Sequence, residues 1–256
     1  MKILTLGDVT GTASIQYLQQ RLWRERDRLG ADLVVANGEN VSDIHGISAS
    51  DAQALLDCGI DLITTGNHTW GKRDIYDFLD SSPSILRPAN FPPSCPGVGS
   101  TTVRIGGWRL LCINVMGVVN MQPLDSPFDT VDRILEREKG KYDFALLDIH
   151  AEATSEKIAL ARYFDGRINI IFGTHTHVQT ADEQILPRGT GYITDLGMTG
   201  PTDGVIGADA ECIIRHFRTK MPQRFSVASG EIRAHGALFE LDTDTARCTS
   251  VRRVSF

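Results

Sequence analysis

The sequence predicts an α/β fold of two mixed sheets packed together, with helices outside them. Three observations predict it. Short apolar runs alternate with segments of helical period through residue 79, a pattern that favours right-handed βαβ units and a partly parallel sheet. A Gly-Gly pair between two β-rich runs then marks an antiparallel hairpin in the middle of the chain. The last part returns to strands, with one helix among them.

Taken in order, residues 3–6 form a continuous apolar run stopped by Gly7 and Asp8, which reads as a buried strand. Residues 15–28 carry Tyr17, Leu18 and Leu22 at helical spacing among polar neighbours. Residues 33–36 are a second strand that ends at Asn37-Gly38-Glu39-Asn40. Ser48 is suited to cap a helix that turns Ala52, Leu55 and Leu56 inward and runs to Cys58, where Gly59 stops it. Residues 62–65 are a third strand and residues 75–79 lie on a third helix. Residues 81–99, rich in Pro, Gly and Ser, read as an irregular surface loop. Residues 101–105 and 109–115 flank Gly106-Gly107 as the hairpin, and 117–127 form another loop. A helix around 130–139 leads into a strand at 144–149; a helix at 155–164, with Thr154 or Ser155 as its cap, leads into a strand at 168–172. The tail predicts a hairpin of 184–186 with 192–194, a loop at 197–201, a helix near 208–218 and strands near 237–241 and 249–254. No linker, repeat or low-complexity tract interrupts this order, so a single domain over 1–256 is expected.

Composition narrows the function classes. With 41% hydrophobic and 23% charged residues the chain is ordinary globular material. Its net charge of −6 argues against a large face for duplex nucleic acid, which needs clustered Lys and Arg to displace phosphate counterions. A small phosphorylated ligand gripped by metals remains compatible. The five cysteines are scattered and form no C-x-x-C pair, which fits a reduced protein without structural zinc. The apolar start meets Asp8 too soon for a secretory leader, and no run of about 18 apolar residues suggests a membrane span. A cytoplasmic protein is expected, with no membrane partner and with homo-oligomerisation left open.

Chemistry collects where strands run out. Asp8 follows the first strand, Glu39 the second, and Gly66-Asn67-His68 the third; His150 ends the apolar run at 144–149, and Gly173-Thr174-His175-Thr176-His177 follows the strand at 168–172. In an open α/β sheet the ligand site lies at the carboxyl ends of strands. In an extended segment i and i+2 share a face, so both imidazoles of His175 and His177 would enter one pocket. Taken singly, each fragment also reads as a turn, a helix cap or a boundary histidine. Together they put mixed nitrogen and oxygen ligands at one point, as zinc, iron or manganese require. A hydrolytic, two-metal centre is expected.

In order, these fragments resemble the calcineurin-like metallophosphoesterase superfamily, and more closely the bacterial cyclic-nucleotide phosphodiesterases of the YmdB-like family. The longer motifs carry the closer resemblance: Gly66-Asn67-His68-Thr69-Trp70, Arg87-Pro88-Ala89-Asn90-Phe91-Pro92, His150-Ala151-Glu152-Ala153-Thr154-Ser155-Glu156-Lys157, Thr174-His175-Thr176-His177-Val178-Gln179-Thr180-Ala181-Asp182 and Asp195-Leu196-Gly197-Met198-Thr199-Gly200-Pro201. They span essentially the whole chain. The resemblance implies a four-layer α/β/β/α sandwich with two mixed sheets. It implies one metal ion on Asp8, Glu39, Asn40 and His177 and a second on Glu39, Asn67, His150 and His175, with Glu39 bridging. Two transition-metal ions are expected, iron foremost, manganese or zinc as alternatives. The implied activity is hydrolysis of small phosphodiesters, 2′,3′-cyclic nucleotides foremost, by a metal-activated hydroxide, with His68 as general acid. Glu152, Thr154 and the loop at 197–201 are further pocket candidates.

The general superfamily begins Asp-x-His; here Asp8-Val9-Thr10 has no His. Within the closer family Pro-Gly-Arg is common after Gly11, where this chain has Ala13-Ser14-Ile15, and an Arg is frequent where it has Val118. These departures bear on how phosphate or base is gripped, not on the metal ligands. Two other readings stay open: a nucleotide-sensing regulatory protein with weak or no turnover, and a metal-dependent hydrolase of another ester.

Overall fold

The computed structural model describes Met1–Phe256. Its elements run β1 (Lys2–Leu6), β2 (Asp8–Val9), α1 (Thr12–Leu29), β3 (Leu33–Asn37), α2 (Ala49–Asp57), β4 (Leu62–Thr64), α3 (Ile75–Ser81), β5 (Ile85–Leu86), β6 (Ser100–Ile105), β7 (Trp108–Met116), α4 (Pro127–Arg137), β8 (Phe144–His150), α5 (Thr154–Phe164), β9 (Ile170–Thr174), β10 (Gln184–Ile185), β11 (Gly191–Ile193), β12 (Met198–Pro201), α6 (Ala210–Thr219), β13 (Ile232–Asp242) and β14 (Arg247–Ser255).

Two mixed sheets face each other. The first has the order β2-β12-β13-β1-β3-β4-β5, with β14 on β13; the second is β10-β11-β9-β8-β7-β6. β1, β3, β4 and β5 are parallel neighbours, as are β7, β8, β9 and β11, while β13 pairs antiparallel with β12, β1 and β14. The alternation of side chains along each strand produces the layers. Leu4, Leu6, Val34, Ala36 and Ile63 face outward and bury Ile15, Leu18 and Leu22 of α1 and Ala52 and Leu55 of α2. Ile3, Leu33, Val35, Leu62 and Phe239 face inward and meet Cys112, Phe144, Leu146, Ile170 and Phe172 of the second sheet. The opposite face of that sheet, with Leu111, Ile113, Ala145 and Leu147, packs on Val131 and Ile134 of α4 and on Leu160 and Phe164 of α5. This is the expected α/β/β/α order, calcineurin-like in its layering. Phe172 and Phe239 meet across the central layer with ring centroids 6.4 Å apart. Truncating either to Ala would cost roughly 3–5 kcal/mol.

The structure corrects four details. The segment 81–99 is not wholly superficial: it contains β5, which adds a buried parallel strand beside β4, and Asn90 is buried with its side chain bonded to the Met116 carbonyl at 2.7 Å and the Met116 N–H at 2.9 Å. Residues 198–201 form the strand β12 rather than a loop, because β13 is long enough to pair with both β12 and β1. α4 begins at Pro127, earlier than expected, where Ser126 caps it by accepting the Asp129 N–H at 3.3 Å and proline occupies the first turn. Neither Thr154 nor Ser155 caps α5; the helix starts from Ala153 without a side-chain cap.

All five cysteines are free thiols. Burial pushes the thiols of Cys58 and Cys248 up to about 11 and that of Cys112 higher still. A thiol reacts as the thiolate. In native protein at pH 8 a disulfide reagent should therefore modify only Cys95 and Cys212, with Cys58, Cys112 and Cys248 reacting after denaturation. Fast labelling of three or more thiols in the native state would contradict this burial.

Candidate metal centre

The strand ends deliver their side chains to one edge of the sandwich. Asp8 opens β2, reached from β1 through Gly7; Glu39 and Asn40 lie just past β3, and Asn67 and His68 just past β4. His150 is the last residue of β8, and His175 and His177 follow β9. Gly66 allows the two sheets to close here: a Cβ on it would lie 2.1 Å from Cδ2 of His150, so the imidazole rests directly on bare backbone.

Two groups of donor atoms form around Glu39. In one, Nε2 of His150 lies 3.0 Å from Oε1 of Glu39, 2.9 Å from Oδ1 of Asn67 and 3.1 Å from Nδ1 of His175. In the other, Nε2 of His177 lies 3.7 Å from Oδ1 of Asp8 and 3.2 Å from the Asn40 amide, which itself reaches Oε1 of Glu39 at 3.3 Å. Asp8, Glu39 and His150 are completely buried.

Each histidine is pinned from behind. Nδ1 of His150 meets Oγ1 of Thr174 at 2.9 Å, and that hydroxyl donates to Oδ1 of Asp148 at 2.9 Å. The hydroxyl therefore accepts the Nδ1–H of His150, and Nε2 is left with a lone pair. Nε2 of His175 faces Oε2 of Glu152 at 3.1 Å, and Nδ1 of His177 faces the Ile206 carbonyl at 2.9 Å. These partners assign the protons outward and leave all three inner nitrogens as acceptors. Oδ1 of Asp8 is buried without any hydrogen-bond partner. Three imidazole lone pairs, an orphaned carboxylate oxygen, a second carboxylate and the Asn67 oxygen thus converge on one volume. Such a donor set fits transition-metal cations.

The electrostatics agree. Burial raises Asp8 despite His177 and His150. Burial would also raise Glu39, but His150 and His68 outweigh it and hold it at about 2. For His150, burial disfavours the charged form, yet Glu39 and Asp8 raise it to about 9, while burial and the neighbouring His150 lower His175 to about 3. The two carboxylates thus call for a positive charge at this point, either a proton on the inner nitrogen of His150 or a cation in that proton's place, with the outward Nδ1–H the same in both.

His68 stands beside this ring rather than in it. Its N–H binds Oε2 of Glu39 at 2.9 Å, and its Nδ1 lies 2.7 Å from Oδ1 of Asn40. Its side chain keeps 31% of its exposure. Burial lowers its proton affinity, with Glu39 opposing.

Asp8, Glu39, Asn40, Asn67, His68, His150, His175 and His177 meet here, but not always as expected. His175 and His177 converge through left-handed backbone, φ 100 and 63, and not through an extended segment. The cause is the buried Asp195, whose Oδ2 accepts the Thr176 N–H at 3.2 Å and the Thr176 hydroxyl at 2.8 Å and also binds buried Lys157 at 2.7 Å. Asn40 turns its amide nitrogen, not its oxygen, toward Glu39 and His177. A half-turn of the amide exchanges the two atoms without changing its shape. Sequence reasoning missed Asp148, Thr174, Lys157 and Asp195 as supports. The one local signal was Asp148, an acid inside an apolar strand.

The family profile described as YmdB-like protein matches residues 4–254. A Bacillus subtilis (strain 168) protein named 2′,3′-cyclic-nucleotide 2′-phosphodiesterase is 42% identical over 254 residues, 99% of this chain and 96% of its own. A solved Thermus thermophilus structure, described as a hypothetical protein, superposes with a TM-score of 0.94 at 41% identity, covering 100% of this chain and 99% of that one. A structure described as a novel phosphatase from Mycoplasma pneumoniae gives a TM-score of 0.94 at 33% identity, covering 100% and 93%.

The position of Glu39 between the two donor groups predicts unequal losses on substitution. Glu39→Gln removes charge from both groups, whereas Asn40→Ala removes one neutral group from one of them. Elemental analysis after reconstitution should show a larger loss of metal in Glu39→Gln. Parental metal content in that variant would refute the central placement.

Proposed function

The chain belongs to the YmdB-like family, and we propose that it is a metal-dependent phosphodiesterase that opens 2′,3′-cyclic nucleotides at the 2′ ester bond. The observation that carries this reading is the convergence of three outward-pinned histidines on Asp8 and Glu39 beside a partly exposed His68. The name of the Bacillus subtilis relative supports the substrate class.

Two transition-metal ions, iron foremost, would be held by Asp8, Glu39, Asn40 and His177 and by Glu39, Asn67, His150 and His175. When bound, such a pair neutralises charge on the phosphoryl oxygens and activates water near neutral pH. The chain's own residues do the rest. Asn67 and the three histidines fix the depth at which a phosphate can enter. With the Asn40 amide turned so that its oxygen faces Glu39 and His177, its N–H donates to Nδ1 of His68 and the ring proton stands on Nε2, while Glu39 holds the backbone N–H. From there His68 delivers a proton to the departing ribose 2′-oxygen as water's oxygen joins phosphorus, leaving a 3′-phosphomonoester. General acid assistance of this kind contributes about 10²–10⁴-fold.

Protein purified without chelator and reconstituted with iron, manganese or zinc should bind about two ions per chain by elemental analysis. A reproducible zero with all three metals would sink the metal centre.

His68→Ala should keep its metal and lose roughly 10²-fold or more of kcat toward a 2′,3′-cyclic nucleotide. A nitrophenyl phosphodiester, whose leaving group needs little protonation, should lose far less. Equal losses on both substrates, with metal content intact, would make His68 a positioning donor instead.

A further inference from the structure

Beside His68 lies a cavity of about 1060 Å³ that opens to solvent, with Thr12, Asp43, His45, Lys72, Arg224 and Phe225 in its walls. His45 connects it to the reacting end: its ring centroid lies 4.6 Å from that of His68. The loop bearing His45 is held in an unusual shape, with Asp43, Ile44 and Gly46 at φ 57, 73 and 94. A β-branched residue in that region persists only where its surroundings enforce it. Here Ile44 is buried against Ala208 and Ile213, and the backbone of Gly46 packs on Gly71 so closely that a Cβ would lie 2.9 Å from the Gly71 Cα. The opposite wall, residues 223–228, is tied down by the Asp209 N–H to the Ser226 carbonyl and the Ala228 N–H to the Gly207 carbonyl, each at 2.9 Å. The cavity is part of the fold, bounded by fixed walls.

Its size and charge say what it fits. Small-ligand pockets run to about 300–1,000 Å³, so this space has room for a nucleotide with its phosphodiester beside whatever occupies the metal centre. Among its ionised side chains Lys72 and Arg224 outnumber Asp43. The Lys72–Asp43 pair, at 3.7 Å with Asp43 86% exposed, is a weak surface pair that leaves Lys72 available. In a chain of net charge −6 this is a local excess of positive charge, set between the aromatic rings of His45 and Phe225. Cations that track a backbone, with rings on which bases stack, are what single-stranded nucleic acid needs.

Resting on the phosphodiesterase reading above, we infer that this cavity takes the nucleotide and phosphodiester on the 5′ side of the cyclic ribose, so that the preferred substrate is a short single-stranded RNA ending in a 2′,3′-cyclic phosphate. Lys72 and Arg224 hold the internal phosphate, and the terminal cyclic ester lies under His68.

The test compares a 2′,3′-cyclic mononucleotide with a dinucleotide ending in the same cyclic phosphate, on metal-loaded protein. The dinucleotide should have the larger kcat/KM, by about tenfold to a hundredfold, the range expected of charge-assisted contacts. In the Lys72→Ala/Arg224→Ala double variant that ratio should fall toward one, and added salt should lower it in the parent. Calorimetry with a dinucleoside monophosphate, which has the internal phosphate and no cyclic ester, should show the same weakening in the double variant. A ratio near one in the parent overturns the inference and leaves the phosphodiesterase reading standing. An unchanged ratio in the double variant overturns the role of these two side chains. No turnover of either substrate overturns the phosphodiesterase reading, and the inference falls with it.

Discussion

Two carboxylates, Asp8 and Glu39, sit without solvent at the seam between the sheets, and the surrounding structure is arranged around that fact. Burying an ionised carboxylate costs several kcal/mol unless other groups compensate it. Backbone donors supply part of the compensation: the His175 N–H reaches Oδ2 of Asp8 at 3.1 Å, and the His68 N–H reaches Oε2 of Glu39 at 2.9 Å. The remainder has to be cationic. A proton on His150 supplies part of it, which is why Glu39 and Asp8 raise that ring to about 9, and a metal cation on the same inner nitrogen would supply more. The fold thus holds an electrostatic debt that a metal cation is suited to settle.

Behind the donor atoms stands a layer of groups that touch nothing reactive. Lys157 and Asp195 form a pair with both side chains fully buried. Asp195 also accepts the Gly197 N–H at 2.8 Å, so one carboxylate joins α5, the segment carrying His175 and His177, and the approach to β12. Asp148 accepts hydroxyls of Thr64 and Thr174 and thereby links β4, β8 and β9; burial pushes its carboxyl up to about 7, with those hydrogen bonds opposing. Loops that carry metal-type ligands are ordinarily soft. These are fixed because Asp148, Thr174 and Lys157 lie on β8, β9 and α5, and Asp195, in the turn before β12, is tied to Lys157.

The sequence made the layers legible because each strand's alternation is visible in its own residues. The run at 144–149 and the Gly106-Gly107 hairpin needed no tertiary information. β2, β5 and β12 were not legible: two to four residues long, they are strands only because β13, β4 and one another offer partners. The site residues were legible as types placed at strand ends, with Asn40 and the division into two groups entering by resemblance. The backbone that aims His175 and His177 was not. Its left-handed turns are set by Asp195, 19 residues past Thr176 and beyond the next hairpin, and no local pattern records such a contact.

The pairing of β1 with β13 has a consequence for how the molecule comes into being. Thr5 stands opposite Ala237, so the strand leading to Asp8 gains one of its two neighbours only when nearly the whole chain exists. The histidines, Asn67 and Glu39 all precede that strand in order of synthesis. During translation the residues of the centre therefore emerge while the first sheet still lacks the strand that closes its middle. Contacts so distant in sequence form slowly, and an unpaired strand invites partners of its own. The growing chain carries an open β1 edge until β13 arrives, a liability of biogenesis that the finished sandwich conceals.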